Sequence, residues 1–258
     1  MSTFLNASPI FGPIKSRRLG ISLGVNLMPA TGKVCSFDCL YCENGLNASR
    51  RTQDGYNSAT EVLNALEAQL KKMADEGKLP DVITFAGNGE PTLHPDFDRV
   101  IDRTLALRDK YYPAVKVSVL SNATQIGRPS VFDALLKVDN NILKIDGGRD
   151  ETVRLINQPQ DSHYSVRTVV EGMKAFRGQL IVQTMFVRGM HGGHKVDNTT
   201  PEEVAAWQDL MREIRPHQIM VYSLDRPTPE PDLVRVSHEE MAGYVAPLVS
   251  EGMYVTIA

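Results

Sequence analysis

Cysteine is scarce in this 258-residue chain: there are three, and no fourth. Three thiols cannot all pair, and Cys35, Cys39 and Cys42 stand too close in sequence for easy bridging. That excludes a disulfide scaffold and leads us to expect a reducing, cytoplasmic setting. No run of about eighteen apolar residues exists, so no membrane span is expected. The opening Met-Ser-Thr-Phe-Leu-Asn lacks the basic start and apolar stretch of a signal peptide. Positive charge is not in excess either: 28 Lys and Arg face 31 Asp and Glu, a formal net charge of −3. Basic residues come only in short pairs, Arg17-Arg18, Arg50-Arg51 and Lys71-Lys72. Such pairs are the pattern of a solvated surface; they give a nucleic-acid partner no support without excluding one. No repeat of fixed period and no low-complexity tract is present.

What the chain does have is alternation. Short β-branched runs at Pro80–Ala86, Val115–Leu120, Asn141–Ile145, Gln179–Phe186 and Gln218–Tyr222 read as strands, and Val34 reads as the end of an earlier one. Helical patterns lie between them. Ser58-Ala-Thr-Glu61 is a capping box ahead of Val62, Leu63, Leu66, Leu70 and Met73, with Gly77 as the stop. Thr200-Pro-Glu-Glu203 repeats the device before Val204, Trp207, Met211 and Ile214. Ser237-His-Glu-Glu240 opens a third helix, which Gly252 closes. Strands alternating with helices predict an α/β fold with a parallel sheet. About six strand–helix units are present where a closed barrel needs eight, so a partial, TIM-like barrel is expected. We expect one domain over residues 1–258, with residues 1–30 as an N-terminal extension packing on the barrel.

The chemistry concentrates at strand ends, where barrel active sites lie. Cys35-Ser-Phe-Asp-Cys39-Leu-Tyr-Cys42 puts three thiolates on one short loop. They suit three corners of a cubane [4Fe–4S] cluster, leaving one iron free to bind a small molecule. The alternative is zinc with a fourth ligand from His or Asp, for which His191-Gly-Gly-His194 is a source. Gly87-Asn88-Gly89-Glu90 follows the next strand. Its glycines permit close approach of the backbone to a ligand and Glu90 offers a carboxylate to an ammonium; an ordinary βα turn is the plainer reading. Polar residues mark later strand ends: Ser121-Asn122, Lys144 with Asp146, Thr184, and Tyr222 with Asp225-Arg226. Arg17 and Arg18 are candidates for an anionic group at the mouth, or for surface ion pairs. His94 is read as shaping the turn after Glu90.

These residues carry a resemblance. The cysteine triplet, with the aromatic Tyr41 before its last member, resembles the radical S-adenosylmethionine superfamily. The wider match resembles one branch, the Fe–S oxidoreductase group related to tRNA wyosine synthesis enzymes. It runs through Phe11–Gly24, the cysteine loop, Gly87–Pro95, Leu143–Asp146 and Tyr222–Pro227. In those enzymes additional cysteines hold a second cluster, and this chain has none to spare. The resemblance implies a single-domain partial (β/α)6 barrel. It implies a [4Fe–4S] cluster on Cys35, Cys39 and Cys42, and reductive cleavage of S-adenosylmethionine to a 5′-deoxyadenosyl radical that abstracts hydrogen from a substrate. That substrate is left open: a nucleoside or tRNA, a small molecule, or a partner protein. An electron donor such as flavodoxin or ferredoxin is implied as well. Residue by residue, the resemblance assigns Gly87, Asn88, Gly89 and Glu90 to the methionine amino group and the backbone at Tyr41 to adenine. It assigns Ser121, Asn122, Lys144 and Asp146 to ribose and carboxylate, with Thr184 and Tyr222 joining them as cofactor-side residues. The rival from another class is a non-catalytic Fe–S electron carrier or iron sensor.

Overall fold

The computed structural model describes residues 4–16, 18–226 and 228–258. Arg17 and Pro227, both singled out in the sequence, lie outside the described residues. The chain opens with a hairpin, β1 (Ile10–Ser16) and β2 (Gly20–Val25), followed by the cysteine loop and α1 (Ala59–Asp75). It continues through β3 (Val82–Phe85), α2 (Phe97–Tyr111), β4 (Lys116–Ser121), α3 (Pro129–Leu135), β5 (Asn140–Lys144), α4 (Asp150–Asn157), α5 (Val166–Lys174) and β6 (Ile181–Met185). A second hairpin, β7 (Val187–His191) and β8 (His194–Asp197), precedes α6 (Pro201–Ile214) and β9 (Gln218–Tyr222). The chain ends with β10 (Leu233–Arg235), α7 (His238–Ser250) and β11 (Val255–Ile257).

The main sheet runs β1-β2-β3-β4-β5-β6-β9-β11. Every neighbouring pair in it is parallel except β1 with β2. It keeps two edges, so it is a curled, partial barrel of the TIM-like kind. Ile10–Ser16 and Gly20–Val25, within the stretch read as an extension, pair into this sheet as strands. Val34 is not the end of a strand. It makes an isolated parallel bridge to Gly89, well after β2 has ended at Val25. A smaller antiparallel sheet, β10-β7-β8, is built from the segments that follow β6 and β9.

Alternation along the strands decides which side chains face the site. Ile83, Phe85, Val117, Val119, Leu143, Val182, Ile219 and Val221 share the large buried core with helix residues such as Leu66, Ile101 and Trp207. The intervening positions form a separate cluster inside the barrel, Ile142, Ile181 and Met220, with Leu19 and Leu120 packed on it. Inward Ser22 donates to Thr84 at 2.8 Å, a pairing that leaves neither hydroxyl unsatisfied in the interior.

Two of the three capping boxes close as the sequence predicts, at Ser58/Glu61 and Ser237/Glu240. The third does not. Thr200 caps the Glu203 N–H at 3.3 Å, but the Glu203 carboxylate turns inward. It accepts from Gly148 N (2.9 Å), Thr152 Oγ1 (2.6 Å) and Arg149 Nε (3.3 Å), holding the loop after β5 against α6. No helix among the described residues is long and apolar enough to cross a membrane.

Candidate functional site

The cysteine loop is built onto its neighbours by backbone hydrogen bonds. The final turn of a helix leaves carbonyls without intrahelical partners, and at α4 the loop supplies the donors. Asp38 N donates to Asn157 O at 2.8 Å and Leu40 N to Ile156 O at 2.9 Å. On the other side Val34 N donates to Asn88 O and Glu90 N to Val34 O, both at 3.0 Å. Gly87 and Gly89 are needed for this docking, with φ of +126° and +141°. A Cβ on Gly89 would overlap the Val34 carbonyl, and one on Gly87 would meet the Asn26 side chain. Both glycines thus allow close packing within the chain, Gly89 against the Val34 backbone and Gly87 against the Asn26 side chain.

Cys35, Cys39 and Cys42 are free and half-buried on this loop. Asn122 Nδ2 donates to Cys35 Sγ at 3.7 Å and to Ser36 Oγ at 2.9 Å. Asn157 Nδ2 donates to Cys39 Sγ at 3.3 Å. Burial, then Cys39 and Glu90, push the Cys35 thiol above its ordinary value. Burial and then Cys42 push Cys39 up to about 11, against the nearby Lys144 ammonium. Lys33, two residues before Cys35, is buried and donates to Gly45 O at 2.8 Å and Asp38 Oδ1 at 3.3 Å. Burial opposes its charge, but Cys42, Cys35, Cys39 and Asp38 outweigh burial and keep it an ammonium. A loop of three soft sulfur donors, with amide donors turned to two of them and a buried cation nearby, suits an anionic iron–sulfur cluster. Among the described residues no three His, Cys, Asp or Glu side chains gather at the spacing of a single metal ion. His191 instead faces Glu230 at 3.0 Å and Gln158 at 3.2 Å, and His194 lies exposed on β8.

Glu90 is buried. Its carboxylate accepts from Thr92 N (3.1 Å), Thr92 Oγ1 (2.5 Å) and Asn122 N (2.7 Å). Burial raises its pKa despite those donors. The carboxylate therefore fastens the end of β4, and with it Asn122, under Cys35. Asn122 Oδ1 in turn accepts from Thr124 N and Oγ1, and Ser121 Oγ accepts from Ala123 N. His94 Nδ1 accepts from Asp96 N at 3.1 Å and its Nε2 lies 2.9 Å from Asn57 O, tying the turn to the start of α1.

A second cluster lies on the other side of the loop. The Tyr41 hydroxyl donates to the Asp146 carboxylate. Asn157 Nδ2 reaches both Tyr41 Oη (3.0 Å) and Asp146 Oδ2 (2.7 Å), and Met185 N donates to Asp146 Oδ1 at 2.8 Å. Burial, followed by Asp146, holds the Tyr41 phenol well above its ordinary pKa, so it stays a donor. Lys144 Nζ donates to Tyr222 Oη at 2.9 Å and lies 3.6 Å from Asp146. Burial opposes its charge; Asp146 and Tyr222 outweigh it and raise the pKa. Lys144 is thus a fixed cation rather than a nucleophilic amine.

Glu90, Ser121, Asn122, Lys144, Asp146 and Tyr222 therefore gather around the cysteine loop, which carries Tyr41 itself. Two predicted residues do not turn to it. The Asn88 side chain is spent on Asn6 (2.7 and 2.9 Å) and Pro29 O (2.8 Å). Thr184 shares the outward register of Val182, donates to Ile145 O at 2.6 Å and accepts from Trp207 Nε1 at 2.9 Å. Sequence reasoning missed Lys33 and Asn157. Lys33 had a signal, a lysine two places before a metal-type cysteine; Asn157 had none. Beside Cys35 a concavity of about 790 Å³ opens, lined by Lys33, Asp38, Arg51, Gln158 and Gln160 among others. That is a volume suited to a small molecule.

Known proteins resemble this chain in both sequence and shape. The Radical SAM superfamily profile matches residues 30–207. A UPF0026 protein of Methanocaldococcus jannaschii is 31% identical over 226 residues, covering 85% of this chain and 64% of that protein. GTPase Obg of Brachyspira hyodysenteriae is 28% identical over 241 residues, 92% of this chain but 33% of its own length. The chain thus spans between a third and two thirds of these two curated relatives. Among solved structures, a radical SAM methyltransferase from Sphaerobacter thermophilus aligns with a TM-score of 0.67 at 16% identity, covering 92% of this chain and 65% of that one. TYW1 with a lysine-pyruvate adduct bound aligns with a TM-score of 0.62 at 16% identity, covering 90% and 74%. At such identities the likeness is one of fold.

Proposed function

Since the chain belongs to the radical SAM superfamily, whose members imply a [4Fe–4S] cluster and S-adenosylmethionine, we propose that it is an enzyme holding both at the cysteine loop. When bound, they supply reductive cleavage of the sulfonium to a 5′-deoxyadenosyl radical that takes hydrogen from a substrate. Cys35, Cys39 and Cys42 are the cluster's protein ligands in this reading. The observation that carries it is the sulfur environment: three thiols on one loop, Asn122 and Asn157 donating to two of them, and the Lys33 ammonium held nearby.

The chain's own residues divide the remaining work. Lys33 offsets negative charge that burial would otherwise penalise. Asn122 and Asn157 orient the sulfurs and lower their electron density through N–H···S contacts. Glu90 positions Asn122 through the Asn122 N–H, and in this reading its buried carboxylate is the partner of the cofactor's ammonium. The backbone at Tyr41 is the adenine contact in this reading, and the Tyr41 side chain, bonded to Asp146 and Asn157, fixes that stretch of the loop. The resemblance to wyosine enzymes supports the chemistry; the net charge of −3 gives an RNA substrate no electrostatic help.

The test is anaerobic reconstitution, reduction, addition of S-adenosylmethionine and chromatography for 5′-deoxyadenosine. Product is expected from the native chain. Glu90→Ala should retain iron while binding S-adenosylmethionine at least about tenfold more weakly, the order of one charge-assisted hydrogen bond. A reduced, iron-replete native chain that yields no 5′-deoxyadenosine contradicts the reading. Iron loss in Glu90→Ala would assign that carboxylate to holding the loop alone.

A further inference from the structure

The barrel interior holds a cation that the proposed cofactor site leaves unused, Arg18, read in the sequence as a candidate for an anionic group or a surface ion pair. Arg18 stands in the turn between β1 and β2, a turn fixed by Ser16 Oγ accepting from Arg18 N (3.3 Å) and Leu19 N (3.2 Å). The neighbouring Leu19 packs on Ile142, Ile181 and Met220. Those residues belong to β5, β6 and β9, far from β2 in the sheet order, so the turn reaches across the open side of the curled sheet into the barrel. There the Arg18 guanidinium lies over the Tyr222 ring, 4.3 Å from its centroid. Lys144 Nζ lies 5.3 Å from the same ring and 5.1 Å from that of Tyr41.

Charge in this space does not balance. Arg18 Nη1 is buried and has no hydrogen-bond partner. Among the described residues no carboxylate pairs with Arg18. Among the described residues the carboxylate paired with Lys144 is Asp146, which already serves Tyr41, Asn157 and Met185 N. A buried donor left unpaired is costly, and a guanidinium presents parallel N–H groups that match an oxyanion. Two cations on one aromatic platform, with Asp146 already engaged, make a site suited to an added anion.

We propose that Arg18 and Lys144 bind an oxyanion, carboxylate or phosphate, of a small-molecule substrate. Because Lys144 also lies under Tyr41, which immediately precedes Cys42, the anion sits one side chain beneath the cysteine loop. The substrate's remaining atoms are thereby held against the radical-generating site. The inference rests on the proposed function only in calling the anion's owner a substrate; anion binding itself requires no turnover.

The reconstituted full-length protein is titrated calorimetrically with inorganic phosphate and with malonate, in chloride buffer of constant ionic strength. At least one probe should saturate. Arg18→Gln should weaken it tenfold or more, with Arg18→Lys in between, while S-adenosylmethionine affinity changes less than twofold. Absence of saturable binding, unchanged binding in Arg18→Gln, or a tenfold loss of S-adenosylmethionine affinity in that variant overturns the proposal; the last would give the cation to the cofactor. Crystals of the native chain soaked in selenate supply a test that needs no variant. An anomalous peak within hydrogen-bond distance of Arg18 Nη1 supports the site, and its absence there overturns it. A chain that binds phosphate through Arg18 yet forms no 5′-deoxyadenosine would refute the proposed function and leave the anion site standing.

Discussion

Replacing Cys39 with alanine is expected to drop retained iron from about four per chain to below about one, and 5′-deoxyadenosine formation below detection. A cluster held by three sulfurs has no protein ligand in reserve, since the chain contains no fourth cysteine. The choice of Cys39 separates metal loss from unfolding. Its Sγ accepts one hydrogen bond, from Asn157. Without it, Asn157 Nδ2 keeps Tyr41 and Asp146 as acceptors, so the cluster of side chains beneath the loop persists. Deleting one small sulfur from a half-buried position should cost the cluster-free chain only about 1 kcal/mol. Iron and sulfide analysis read beside urea unfolding of the cluster-free forms checks both halves. Full iron content in Cys39→Ala would remove this residue from the ligand set.

The second large effect is expected at Gly89. Alanine there places a Cβ against the Val34 carbonyl while φ stands at +141°, a region that side-chain-bearing residues avoid. The obstacle is backbone and cannot rotate away. The Val34–Gly89 bridge and the Glu90 N to Val34 O bond must open, at a cost of about 3 kcal/mol or more from strain and lost hydrogen bonds together. Since Val34 adjoins Cys35, the variant should lose cluster retention along with stability. Gly77→Ala is the control: its φ of +65° is also left-handed, but nothing lies within 4 Å of the added carbon. It should cost about 1 kcal/mol. Urea midpoints and iron content of the two variants test the contrast. Equal penalties would mean that crowding at Val34 does not matter.

Much of this architecture was legible because local signals and tertiary demands agree. The strand at Gln218–Tyr222 and the helices behind Ser58, Thr200 and Ser237 carry periodicity and caps that need no long-range information. The first hairpin was not legible: Ile-Phe-Gly-Pro-Ile-Lys-Ser mixes breakers with apolar residues, and its pairing with β3 is set by the rest of the sheet. The segment His191-Gly-Gly-His194 suggested metal ligands, yet Gly192 and Gly193, at φ +56° and +81°, make the turn between β7 and β8. β10 and β11, three residues each, are too short to carry a pattern.

In the site, the cysteines and Glu90 stood out through residue type and spacing. Thr184 misled because an outward strand position looks the same in sequence as an inward one until the register of its neighbours is known. Glu203 misled for a related reason: a carboxylate three places after a threonine cap served a loop more than fifty residues away. The Asn157 contact to Cys39 spans 118 positions, and no local rule points to it. Arg18 was visible as a basic residue, but its place over Tyr222 depends on how the barrel curls.

The central claim is that a cluster on Cys35, Cys39 and Cys42 keeps one iron free for S-adenosylmethionine. Low-temperature electron paramagnetic resonance of the reduced, reconstituted protein, recorded before and after adding S-adenosylmethionine, addresses it most directly. A reduced cubane signal whose g-values shift on addition is the predicted result. A spectrum indifferent to the cofactor, or a purified protein that takes up zinc in place of iron, would contradict it.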